Sequence, residues 1–474
     1  MSYKLSPTLP RAAAVAAAGF AIVLFVSAML LPAVLPQRVP PELWPVLALL
    51  ALWLVPFGLA LIEGKRWAYV LAMALILFLT DAIFRTRDWA DKSFDWQVLL
   101  KGLTWLGCGA AGALRLGRTG RLLARPPMVF VAGFVAMLAL SVSWSPGPGF
   151  AFLSAMAYIC FLLFALAAAD VLDDDGLLAG LALGTGLIVL PSLAISPFDT
   201  GIAPTSPGAT GETDRLRGLT DHPIPLAEAC AAFVFATLAI MVRSRRWTVK
   251  AAMAALAVAG LVTLALTQSR LPGLAMAAAV LAWWAYRRGG LLLMLPSLAG
   301  LLILVLGAES LAGLSRVLPS DILEDFARSG SAHEILTLSG RLYIWPYVLE
   351  RIQEAPWFGH GHAAGMILFN GFTAWRITHA HNGFLQSLLY VGIVGTTFLV
   401  AALAWQIAAF LARPSMVRDV FMLNALILCI TEQSMVANMP SRTALLWMIA
   451  AAMASQPYTR PKRLETTSAS RTCS

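Results

Sequence analysis

The chain has 474 residues, of which 59% are apolar and only 12% charged, and its mean hydropathy is +0.77. A soluble domain is about 45–50% apolar and about 25% charged, so a water-soluble globule is excluded and the sequence reads as a polytopic membrane protein. The net charge of +9 then asks which side of a membrane holds the basic residues; nucleic acid is not an expected partner.

Apolar stretches near the spanning length fall at 12–35, 41–63, 67–84, 97–117, 128–145, 149–169 and 176–196, then 224–242, 251–267, 271–286, 290–308, 383–411, 419–437 and 442–456. That makes 14 transmembrane helices, with 12 as the alternative because the pairs 128–145/149–169 and 251–267/271–286 are short. The first stretch is too long for a cleaved signal peptide and reads as an anchor. One set of connections and both termini hold 20 of the 34 basic residues, from Lys4 and Arg11 through Lys65/Arg66, Arg115–Arg125, Arg243–Lys250, Arg287/Arg288 and Arg413/Arg418 to Arg460–Arg471. The positive-inside rule makes this side cytoplasmic, and the acidic run Asp173–Asp175 falls there too. The five cysteines show no disulfide or zinc spacing and read as small buried apolar residues.

Two longer segments interrupt the spans on the opposite, non-cytoplasmic side: 197–223, rich in Gly, Pro and Thr, and 309–382. The expected organisation is a transmembrane bundle over 1–308, an external loop domain over 309–382, three last helices over 383–456, and a disordered cytoplasmic tail over 457–474. Within the loop domain, helices are expected near 311–329 and 340–354. In the second, Leu342, Trp345, Val348, Leu349 and Ile352 recur at helical spacing, and such a helix can lie on the membrane or roof a cavity.

All six histidines (His222, His333, His360, His362, His379 and His381) lie in these two segments. Histidine is the side chain best suited to proton transfer near neutral pH, so chemistry is expected on this face. His379-Ala-His381-Asn382-Gly383 immediately precedes a span, within reach of a lipid headgroup. It reads either as an interfacial helix start capped by Asn382 or as part of a site. Together with His360-Gly-His362 it offers four imidazoles to a metal, but no carboxylate or cysteine accompanies them in sequence, and metal sites more often mix ligand types.

External arginines form a second group. Arg215-Leu-Arg217 leads to Asp221-His222-Pro223, Arg270 sits in the turn Gln268–Pro272, and Arg341 opens the amphipathic helix that carries Tyr343 and Trp345. Each is either a surface charge or part of a phosphate-binding set, since guanidinium binds phosphate and diphosphate through paired hydrogen bonds. Asp81, Glu228 and Glu432 fall inside expected spans, where acids are costly and are functional or paired. Glu228 is placed to orient an arginine. Lys101 can snorkel from its span's end.

His381-Asn382, with Gly392 and Gly395 following, resembles the signature of the bacterial O-antigen ligases. The Arg215/Arg217 loop, the Ser269-Arg270 turn and Ser339-Gly340-Arg341 with Trp345 look like further blocks of the O-antigen ligase/polymerase superfamily. The resemblance implies an all-helical membrane fold similar to the type-C lipid-linked glycosyltransferases, sited in the bacterial inner membrane with a periplasmic active site. It implies transfer of an O-antigen glycan from undecaprenyl diphosphate to a sugar hydroxyl of lipid A–core, without a cofactor, ATP or metal. It makes His381 the motif histidine and Arg215, Arg217, Arg270 and Arg341 the arginine blocks. His379, Asn382, His222, Tyr343 and Trp345 are then expected around the substrates.

The chemistry required is compatible with those residue types. The acceptor hydroxyl must lose a proton as it attacks the anomeric carbon, which suits a neutral histidine. The diphosphate leaving group needs charge neutralisation, which arginines supply, and one direct displacement inverts the anomeric centre. A polymerase or an O-oligosaccharyltransferase of the same superfamily differs mainly in its acceptor. A transporter would place polar residues at the membrane midplane, whereas here they gather at one face.

Overall fold

Alanine, leucine and glycine dominate the apolar runs, and those among the described residues form helices. The computed structural model describes residues 57–84, 96–198, 205–206, 215–309, 341–369 and 378–457. The expected span 12–35, most of 41–63, the helix near 311–329 and the 458–474 tail lie outside the described residues.

The longer helices are α1 (Arg66–Asp81), α2 (Trp96–Leu114), α3 (Met128–Leu140), α4 (Pro148–Val171), α5 (Asp174–Ile195), α6 (Pro223–Arg243), α7 (Trp247–Leu266), α8 (Arg270–Glu309), α9 (Arg341–Glu354), α10 (Gly383–Ala412), α11 (Met416–Thr431) and α12 (Arg442–Ala454). Five of them, α4, α5, α6, α7 and α10, are long and apolar enough to cross a membrane. A two-residue antiparallel ribbon departs from the all-α expectation, pairing Thr205 with Leu216 and Ser206 with Arg215.

Helices α1, α5, α6 and α7 pack in succession, as do α2, α4 and α12, while α10 rests on α3, α9 and α11. Small residues permit the close crossings: a Cβ on Gly112 of α2 would meet the Leu163 carbonyl oxygen of α4 at 2.3 Å. Helix α7 turns Val258, Leu261, Val262 and Leu266 outward, a surface suited to lipid.

The bundle has two chemically different ends. At one, Arg66 pairs with Asp173 (2.6 Å), Arg115 with Asp170 (2.6 Å), and Arg243 with Asp174 (3.3 Å) and Asp175 (2.9 Å). The acidic run thus binds arginines of neighbouring helix ends, and Asp173 also caps α5 by accepting from Gly176 N. The other end gathers the described histidines.

Three boundaries differ from the sequence expectation. The span expected over 419–437 ends as a helix at Thr431, and residues 432–441 form a polar connection to α12. The span 128–145 ends as an α-helix at Leu140 and closes in a 3-10 turn over Ser141–Trp144. The spans 271–286 and 290–308 meet at a kink in α8, where Gly290 has φ +60°. In α9 the buried stripe is Ile344, Val348 and Ile352, whereas Leu349, expected on that face, is 46% exposed.

Candidate active site

The start of α10 fixes the histidine motif. Asn382 Oδ1 accepts from the amides of Phe384 and Leu385, both at 3.0 Å, satisfying two of the helix's orphan donors. Its Nδ2 donates to Ile430 O at 2.9 Å, which ties the start of α10 to the end of α11. Both polar atoms of Asn382 therefore hold the scaffold. Just upstream, Ala380 N donates to Gln386 Oε1 (2.7 Å) and Ala380 O accepts from Trp345 Nε1 (3.1 Å). Helix α9 thus braces the histidine loop through Trp345.

His381 has φ +49°, a left-handed backbone uncommon for a residue with a side chain. This turns the imidazole toward the α11–α12 connection, where Nδ1 lies 3.1 Å from Glu432 Oε2. The Glu432 side chain is only 6% exposed and that of His381 is 28% exposed. The His379 ring centre is 4.1 Å from that of His381, and Thr378 Oγ1 is 2.9 Å from His379 Nδ1. One donor atom from each of His379, His381 and Glu432 lies within 4.8 Å of the others, close enough to hold a metal ion. A carboxylate therefore does accompany the histidines in space, although none is near them in sequence.

The 432–441 connection anchors this site to the bundle. Tyr158 OH accepts from Ala437 N at 2.9 Å, Tyr390 OH donates to Asn438 Oδ1, and Asn438 Nδ2 reaches Thr378 O at 3.4 Å. Glu228 accepts from Ser434 Oγ (2.6 Å) and Thr443 Oγ1 (3.1 Å). Those hydroxyls, rather than the expected arginine, are its hydrogen-bond partners. Arg442 pairs with Asp81. Arg442, Asp81 and Glu432 all lie within electrostatic reach of Glu228. Lys101 Nζ donates to Thr80 O at 3.2 Å.

Two arginine blocks meet. Arg215, buried, donates from Nε to Thr267 O (3.1 Å) and from Nη2 to Ser269 Oγ (2.6 Å). It thereby clasps the turn, left-handed at Gln268 (φ +51°), that presents the exposed Arg270 at the start of α8. Arg217 is half-buried, and Thr220 Oγ1 donates to its carbonyl at 2.7 Å. His222 is exposed and caps α6, Nδ1 accepting from Ile224 N at 3.3 Å. Arg341 opens α9, and the side chains of Arg341 and Tyr343 lie outside the described residues.

The second histidine pair is structural. His362 is fully buried, Nε2 lying 2.7 Å from Ser154 Oγ, with Tyr158 and Tyr390 edge-on to its ring. Its backbone N donates to Ser141 Oγ (3.0 Å) and its carbonyl accepts from Ser145 Oγ (2.8 Å). Burial pushes its pKa down to about 3, so the ring is neutral. His360 Nε2 meets Arg351 O at 2.6 Å.

Between them the chain docks into a break in α10. Gly392 has φ +61°. The interrupted backbone exchanges His360 N→Leu389 O (2.8 Å), Gly361 N→Tyr390 O (3.0 Å) and Ile393 N→Pro356 O (2.8 Å). A Cβ on Gly392 would sit 2.3 Å from the Trp357 carbonyl carbon. The motif's spaced glycine therefore seats the loop on the helix.

Glu432 as the partner of His381 is hidden in the sequence because apolar residues on either side carry the expected span 419–437 through it, and Asn438, just past that span, gives no sign of its role as a brace. Pro440, next to Ser441 and close behind Asn438, was the available sign of a connection.

A family model described as O-Antigen ligase matches residues 255–400, from within α7 to beyond the break in α10. No curated protein matches the chain.

Proposed function

We propose that this chain, whose residues 255–400 match a family model described as O-Antigen ligase, is a member of that superfamily and transfers an O-antigen glycan from undecaprenyl diphosphate to a sugar hydroxyl of lipid A–core. The observation that carries the reading is the His381–Glu432 pair at the histidine end of the bundle, 3.1 Å apart. A carboxylate on Nδ1 fixes the ring's orientation and tautomer and leaves Nε2 as the basic nitrogen. The acceptor hydroxyl gives its proton to Nε2 as its oxygen forms the new bond to the anomeric carbon. The bond from that carbon to the diphosphate breaks in the same displacement, with inversion. His381 leaves the step protonated, with Glu432 against its charge.

The leaving diphosphate keeps the electron pair and is stabilised by arginines. Arg270 faces it directly from the turn that Arg215 clasps, and Arg217 and Arg341 complete the set. His222, Tyr343, His379 and Trp345 surround the two substrates, Trp345 through its grip on the His379–His381 loop. The active site faces the periplasm, and the spans on either side admit the two lipids. No metal is needed for the displacement.

A deletion strain examined by lipopolysaccharide gel tests the reading. Loss of the O-antigen ladder with polymer accumulating on the lipid carrier supports a ligase. A core capped by a single repeat contradicts it and identifies a polymerase.

A further inference from the structure

We propose that His379, His381 and Glu432 form a binding site for a divalent cation of the zinc type, and that a cation held there shuts the transfer off; the second part rests on the function proposed above. One donor atom from each residue lies within 4.8 Å of the others. Zinc with bonds of about 2.0–2.1 Å to nitrogen and oxygen needs donors roughly 3.3 Å apart. His381 Nδ1 and Glu432 Oε2 already stand at 3.1 Å, and the two rings are 4.1 Å apart at their centres.

Two imidazoles and one carboxylate match zinc sites that keep a fourth position open, not the all-oxygen shells of magnesium or calcium. The surroundings are built for it. The Thr378 hydroxyl on His379 Nδ1 is the type of outer contact that orients a ligating imidazole. Gln386 and Trp345 hold the intervening Ala380 from both sides. Glu228 lies within electrostatic reach of Glu432. A cation drawing on His381 and Glu432 breaks their hydrogen bond and removes the base from the reaction.

The test uses the full chain, purified in detergent, stripped with chelator and titrated calorimetrically with zinc ion. One tight site is expected, weakened at least about 10–100-fold in Glu432→Gln and in His379→Ala and retained in His360→Ala. Thermal unfolding confirms that the variants are folded. On the wild-type chain alone, cobalt ion should give the visible absorption of a four-coordinate nitrogen and oxygen site. In parallel, transfer by the chelated chain should fall to background with one equivalent of zinc and return with chelator. Equal zinc affinity in wild type and both cluster variants overturns the site. Transfer at full rate with the site filled, or transfer that requires zinc, overturns the inhibition. A chelated wild-type chain that folds and binds zinc but transfers nothing contradicts the proposed function and leaves the cation site standing.

Discussion

His381 and Glu432 are 51 residues apart in sequence, at the ends of different helices, yet Nδ1 of one lies 3.1 Å from Oε2 of the other. Asn382 makes this possible by capping α10 while donating to the Ile430 carbonyl at the end of α11. The cap and the proposed base are thus adjacent residues with separate tasks, one setting the distance between helices and the other using it.

Glu432→Gln keeps the shape of the carboxylate and removes its charge. In the proposed transfer the protonated histidine then loses its counter-charge, so kcat should fall by about 10–100-fold with little change in KM. A positioned base is worth about 10²–10⁴-fold, so His381→Ala should fall further. Steady-state kinetics with a defined lipid-linked donor separate the two parameters.

Arg215→Lys should behave almost as Arg215→Ala. A lysine cannot reproduce the simultaneous bonds from Nε to Thr267 O and from Nη2 to Ser269 Oγ. Release of the 267–270 turn displaces Arg270, so donor KM should rise about tenfold or more in both variants. Ser269→Ala removes one hydrogen bond, worth about 1 kcal/mol, and should have a smaller effect.

Gly392→Ala should destabilise the chain by about 1–3 kcal/mol, the usual cost of a residue forced into such backbone, and unseat the 356–361 loop. The new Cβ would meet the Trp357 backbone at 2.3 Å. A lowered unfolding temperature, with protease sensitivity appearing near Trp357, is the expected result. Gly300, where a Cβ meets nothing within 4 Å, should tolerate alanine.

How much could be read beforehand depends on where chemistry and hydropathy agree. His381, the Arg215 and Ser269-Arg270 blocks and the helix over 340–354 were legible because polar residues stand out at the edges of apolar runs. Glu432 was visible only as a costly acid, since helix α11 and residues 432–437 of the connection read as one apolar stretch. The role of Gly392 was hidden for another reason. A break within a helix leaves hydropathy unchanged, and only the docked loop reveals it. The structural task of His362 was equally closed to sequence, because its partners Ser141 and Ser154 are more than two hundred residues away.

Stability should fall in acid through His362. Its folded pKa is about 3 against an ordinary 6.5, so between those values the unfolded chain binds the extra proton. Stability therefore rises with pH across that window, by at most about 1.4 kcal/mol per pH unit, and is lost as pH falls below about 6.5. His362→Gln should flatten the dependence of unfolding temperature on pH between about 4 and 6.

The central claim is that His381, oriented by Glu432, takes the acceptor proton in a metal-free inverting transfer. Its most direct test is transfer by the purified chain from an undecaprenyl-diphosphate-linked glycan to lipid A–core in excess chelator, with the product's anomeric configuration read by NMR. Inverted product from the wild type, and loss of about 10²-fold or more in His381→Ala, is the expected outcome. Full activity in His381→Ala, or product with retained configuration, would contradict it.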